Sequence, residues 1–230
     1  MIGIIGAMQI EVEGLLGIME ETETRTVSGI TFHRGTISGK ECAVAQCGVG
    51  KVAASVCTQT LILLYRPEAV INVGVAGGIG DSVHIGDIVV SSGLVQHDMD
   101  TSALGDKKGL ISGINRVVIP AAPGLSHAAE QEARGILGGE HVHSGVIATG
   151  DRFIQDGAEL AAIASAFGAC ACDMEGGSIA QVCCLNHTDF TVIRAISDKA
   201  DESAAMDYTS FAERSAKQYT ELMRTLLPKL

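Results

Sequence analysis

Short apolar runs alternate with amphipathic segments along this chain. Runs at 1–6, 41–47, 69–75, 87–96, 141–149, 168–173 and 189–197 have the length and composition of buried strands. Two more strands, near 23–28 and 30–37, flank a Ser28-Gly29 turn. Segments at about 8–19, 51–65, 126–137, 157–167, 175–186 and 207–227 read as helices. This alternation predicts an α/β fold. No repeat, low-complexity stretch or linker divides it, so one domain over 1–230 is expected. The glycines at 74, 77, 78 and 80 are read as a turn closing the 69–75 strand. The stretch 98–124, punctuated by Gly105, Gly109, Gly113, Pro120 and Pro123, is expected to be a long functional loop.

Three acids break the apolar pattern where solvated acids do not belong. Glu11 falls in the helical stripe of Met8, Val12, Leu15 and Met19, while Gln9, Glu13 and Glu20 mark the wetter face. Glu175 opens a helix whose inner face includes Ile179, Val182 and Cys183. Asp198 alternates with Val192, Arg194 and Ile196 along the last strand. Ligands of open α/β sheets bind beyond the carboxyl ends of the strands, so the three acids can share one crevice. The competing readings are helix-dipole acids at N-termini and a structural ion pair at Arg194.

Composition narrows the partners. A net charge of −11 with no Lys/Arg cluster argues against nucleic acid. No apolar stretch approaches the ~20 residues of a membrane helix, and the start lacks the features of a signal peptide. A cytoplasmic protein with free, buried cysteines is expected. Cys170-x-Cys172 and Cys183-Cys184 lack zinc spacing, and His97-Asp98-Met99-Asp100 reads as strand-end polarity, so neither metal nor cofactor is expected.

Gly48-Val49-Gly50-Lys51-Val52-Ala53 opens a helix but fails the dinucleotide test, because no acid ends the next strand. It fails as a phosphate loop too, with Ala45 and Val52 at the key positions. Gly74-Val75-Ala76-Gly77-Gly78 can bring backbone close to a ligand at a strand end. No Gly-x-Ser-x-Gly elbow is present.

Several segments, in order and spacing, carry a resemblance. They are Ile4-Ile5-Gly6-Ala7-Met8 with Glu11-Val12, Gly48-Val49-Gly50-Lys51-Val52-Ala53-Ala54 and Asn72-Val73-Gly74-Val75-Ala76-Gly77-Gly78. Gly86-Asp87-Ile88-Val89-Val90, Gly150-Asp151-Arg152-Phe153-Ile154, Met174-Glu175 and Arg194-Ala195-Ile196-Ser197-Asp198 follow. End to end, the chain resembles bacterial 5′-methylthioadenosine/S-adenosylhomocysteine nucleosidases of the nucleoside phosphorylase/hydrolase superfamily. The resemblance implies a nucleoside phosphorylase-like fold, a single α/β domain around a central mixed sheet flanked by helices, and a homodimer acting on a small nucleoside.

By position, it implies that Glu11 activates the attacking water and Asp198 protonates adenine N7. Met174 and Glu175 match the ribose-binding pair, Phe153 the ring stacked on adenine, and the Ile154 backbone the group reading its edge. Ala76, Gly77, Arg194 and Ser197 match other substrate-binding or supporting positions. Val75 stands where many relatives carry Ser, Leu104 where many carry Phe, and Ser112 where many carry Pro, so the 5′-substituent is not implied. Cleaving an N-glycosidic bond needs an acid on the base side and a general base on the opposite ribose face, as these two carboxyls would supply. The alternatives are a purine nucleoside phosphorylase, another 5′-modified adenosine nucleosidase, or a silent nucleoside-binding protein. Near the first glycine turns Lys51 is the only cation, which favours water over phosphate as nucleophile.

Overall fold

In the computed structural model, which describes residues 1–199 and 208–230, the apolar runs pair into one mixed sheet. The elements are β1 (Ile2–Gly6), α1 (Gln9–Ile18), β2 (Glu20–Val27), β3 (Ile30–Ile37), β4 (Lys40–Gln46), α2 (Lys51–Tyr65), β5 (Ala69–Gly78) and β6 (Ile88–Gln96). They continue with β7 (Ile119–Pro120), α3 (Pro123–Leu137), β8 (Val142–Thr149), α4 (Gly157–Phe167), β9 (Ala169–Asp173), α5 (Gly176–Leu185), β10 (Asp189–Lys199) and α6 (Tyr208–Leu226). Position 207, expected to begin the last helix, lies outside the described residues.

The sheet is more closed than the sequence suggests. β5 pairs in parallel with β10, β10 antiparallel with β6, β6 parallel with β8, and β8 parallel with β9. β9 returns to β5 through Gly77 and Gly78, completing a ring of strands. β1, β4, β3 and β2 extend as a wing from β5. All of β1 is buried, as expected for a parallel strand covered on both faces. α2 and α5 supply Cys57, Leu61, Ile179 and Cys183 to one side of the core. α1, α3 and α6 supply Leu15, Ala129 and Leu222 to the other. The wing's first turn has positive φ at both Ser28 and Gly29, the conformation that matches strand twist in a two-residue hairpin.

One expectation is corrected. Gly74, Gly77 and Gly78 are not a turn but the last part of β5. A Cβ at Gly74 would stand 2.8 Å from a Glu11 carboxylate oxygen, and one at Gly77 would stand 3.2 Å from Asp198 Oδ1. These glycines therefore serve close approach by side chains, a use of strand glycine that composition cannot distinguish from a turn. The stretch 98–124 is largely irregular, holding one 3-10 turn at Ser102–Leu104, the short β7 and a bridge between Ile111 and Arg116. No helix among the described residues is long and apolar enough to cross a membrane.

Candidate active site

The carboxyl ends of β1, β5, β9 and β10 open onto one cleft of about 660 Å³, its solvent-facing mouth included. Glu11, Val75, Ala76, Gly77, Phe153, Ile154, Met174, Glu175, Ser197 and Asp198 line it, together with Ala7, Met8, Val49, Cys172 and Asp173.

Glu11 reaches it from the first turn of α1. One carboxylate oxygen accepts from the Ala7 and Met8 N–H groups at 2.6 and 2.8 Å, and the other from Val75 N–H at 3.2 Å. The placement follows from the helical stripe, since Glu11, Val12 and Leu15 are the buried residues of α1. Burial pushes the Glu11 carboxyl above its ordinary range, while the backbone donors and the Arg194 guanidinium act against that rise.

Asp198 reaches the cleft by a route that simple alternation misses. The β10 register against β5 shifts between Ile196 and Asp198, a bulge of the kind that re-aims side chains. Ser197 and Asp198 consequently both face the cleft, and Ser197 Oγ donates to Asp198 Oδ2 at 2.7 Å. Arg194, before the bulge, does not line the cleft. It is 1% exposed and donates to Asp173 Oδ2 from Nε at 2.9 Å and to Asn72 Oδ1 from Nη2. Arg194, expected among the substrate-binding residues, is held here in an ion pair with Asp173 beneath the floor.

Glu175 caps the start of α5 and accepts from Gly50 N–H at 2.8 Å. Burial, reinforced by the neighbouring Asp173 carboxylate, pushes its pKa up to about 7 against the pull of Arg194 and the Gly50 N–H. A carboxyl raised in this way favours the fold below its unfolded value of 4.5, and that advantage is lost as pH rises through about 7. Glu175→Gln is therefore expected to match the parent protein in stability near pH 4.5 and to exceed it above pH 7. The difference is at most about 3 kcal/mol, and thermal unfolding across that pH range measures it. A lower stability for the Gln variant above pH 7 would show that the carboxylate has a structural use.

Phe153 and Ile154 follow β8 in the loop before α4. Phe153 stays 61% exposed at the cleft while Ile154 is buried. An exposed Phe on a cleft wall offers its face to a flat heterocycle. Cys172 also lines the cleft, but burial pushes its thiol up to about 12, which leaves it unreactive.

Sequence reasoning overlooked Asp173, Asn72 and Arg152. Asp173 alternates with Ala169 and Ala171 on the buried face of β9, and that period marks it as an inward acid. Arg152 also lines the cleft, so Lys51 is not the only cation nearby. Arg152 is bound to Glu159 at 2.8 Å, and Lys51 to Asp98 at 2.7 Å. Among the described residues no group of His, Cys, Asp and Glu is arranged to hold a metal ion.

The arrangement can be set beside known proteins. A family model described as the phosphorylase superfamily matches residues 1–228. The chain is 41% identical to a 5′-methylthioadenosine/S-adenosylhomocysteine nucleosidase of Shewanella sp. (strain W3-18-1), over 100% of this chain and 99% of that one. The Campylobacter jejuni nucleosidase of the same name superposes with a TM-score of 0.93 at 32% identity, covering 100% and 99% of the two chains. The Neisseria meningitidis nucleosidase, solved in complex with methylthio-immucillin-A, gives 0.89 at 34% identity, covering 98% and 99%. With both its sequence and its backbone matched over essentially their whole length, the chain belongs to the phosphorylase superfamily and, within it, to the 5′-methylthioadenosine/S-adenosylhomocysteine nucleosidases.

Proposed function

We propose that this protein hydrolyses the N-glycosidic bond of 5′-substituted adenosines such as 5′-methylthioadenosine and S-adenosylhomocysteine, releasing adenine and the 5′-substituted ribose. The observation that carries the reading is the placement of two carboxyls along β5. Glu11 sits against Gly74 and Asp198 against Gly77 of β5, and both carboxyls line the one cleft. A nucleoside held between them would meet a base at one side of its ribose and an acid at its purine, the two groups that N-glycoside hydrolysis needs.

In this reading Glu11 takes a proton from water as it attacks C1′, and Asp198 gives one to adenine N7 as the bond breaks. Ser197 fixes the Asp198 carboxyl. Glu175 accepts from the ribose hydroxyls beside Met174, Phe153 stacks on the base, and the Ile154 backbone reads its edge. Ala76 and Gly77 let the floor of the cleft approach the nucleoside closely. Arg194 acts from beneath, holding charge balance among the acids without touching substrate.

A phosphorylase is the second reading, because the superfamily includes that activity by name. A dianion in the cleft would need Arg or Lys together with free N–H groups. The N–H groups of Ala7, Met8, Val75 and Gly50 are taken by Glu11 and Glu175, which leaves a phosphate without these donors. The test is adenine release from 5′-methylthioadenosine, S-adenosylhomocysteine and 5′-deoxyadenosine, with and without phosphate. A free C1 hydroxyl and equal rates in both buffers are expected; a sugar 1-phosphate would move the chain to the phosphorylases.

A homodimer and a cytoplasmic location complete the proposal. On α2, Val52 and Leu63 are 75% and 70% exposed and share one stripe with Val56, an apolar face that a second copy can cover.

A further inference from the structure

We infer that Asp173 is a positioning residue of this site, fixing Arg194 and thereby the placement and charge state of Glu175; the inference rests on the hydrolase reading above. Asp173 lines the floor of the cleft, and its carboxylate holds several parts of that floor together. Oδ2 accepts from Arg194 Nε at 2.9 Å and from Gly176 N–H at 3.1 Å, and Oδ1 accepts from Thr149 Oγ1 at 2.5 Å. Thr149 Oγ1 in turn accepts from Gly177 N–H at 2.6 Å. One side chain therefore anchors β8, β10 and the first turn of α5, the turn from which Glu175 projects.

The charges around Glu175 do not balance. Asp173 from β9 and Glu11 from α1 face it with like charge, while Arg194 from β10 supplies the opposing charge. The start of α2 offers only the Gly50 N–H, since the Lys51 ammonium is turned to Asp98. The Cys47 thiol, at the end of β4, is kept neutral by burial. Arg194 spends its strongest bonds on Asp173 and Asn72, which leaves Glu175 under-compensated and inclined to keep a proton in the empty site. Two like charges near one group raise its pKa, and removing one lowers it.

The test is the pH profile of kcat/KM for adenine release from 5′-methylthioadenosine, with folding followed by circular dichroism. Glu11 and Glu175 both ionise on the acidic limb, and Glu175→Gln identifies the Glu175 step by removing it. Asp173→Asn keeps the shape and removes the charge, so Glu175 should ionise more readily and its step of the acidic limb should move down by about one pH unit or more. Asp173→Glu keeps the charge but displaces it, so kcat should fall while the limb stays in place. A purely structural residue would scale the whole Asn profile without moving its limb, and that result overturns the inference. If the Asn variant does not fold, the Glu variant decides, because unchanged kcat and KM there also overturn it. A parent protein that releases no adenine would instead sink the hydrolase reading itself.

Discussion

Glu11→Gln is expected to lower kcat for adenine release by about 10²–10⁴-fold, the usual cost of losing a general base, with KM changed little. The side chain is the same size, so the α1 stripe of Val12 and Leu15 remains packed. On the proposed mechanism, what is lost is the basic oxygen that takes the proton of water. Burial raises its pKa, and three backbone N–H groups and Arg194 oppose that rise. Activity should accordingly fall as pH drops through the Glu11 titration, since only the ionised form acts as a base. Single-turnover kinetics with 5′-methylthioadenosine check the step directly. A Gln variant within a few-fold of the parent rate would remove Glu11 from the chemistry and leave it as a helix N-terminal acid.

Asp198→Asn is expected to cause a loss of similar size, about 10²–10⁴-fold, but only where the leaving group needs a proton. Adenine is a poor leaving group as an anion, so its departure requires a proton donor at N7. A 5′-methylthioribosyl substrate carrying 4-nitrophenolate departs without one. The Asn variant should hydrolyse that substrate near the parent rate while adenine release collapses, whereas Glu11→Gln should lose both. The Ser197 hydroxyl, 2.7 Å from the Asp198 carboxyl, can still bond the Asn side chain, so the geometry is retained. Equal losses on both substrates would mean that Asp198 positions the nucleoside instead of protonating it.

Much of the cleft was legible in the sequence because local periods fix it. The helical stripe places Glu11 inward whatever the rest of the chain does, since a residue between Met8 and Val12 on that face has no other direction to point. Glu175 is legible as the acid that opens α5. The exposed Phe153 and the buried Ile154 were not legible from period at all; they came from the resemblance, as did the division of labour between the two carboxyls.

The sequence by itself determined the element order, the burial of β1 and β10, and which acids lie at strand ends, because these follow from hydrophobic period and from the desolvation cost of a charge in an apolar run. Tertiary structure alone decided three things. Gly74, Gly77 and Gly78 are strand because β10 and β9 pair with them, and at Gly74 and Gly77 carboxylates from α1 and β10 occupy the space a Cβ would fill. The bulge after Ile196 turned Ser197 and Asp198 into the cleft while leaving Arg194 below it, a register shift set by pairing with β5. Arg194 then found Asp173 and Asn72 from two other strands. A buried charge is satisfied by whichever partners the fold brings near it, and residues far apart in sequence meet only when the sheet closes.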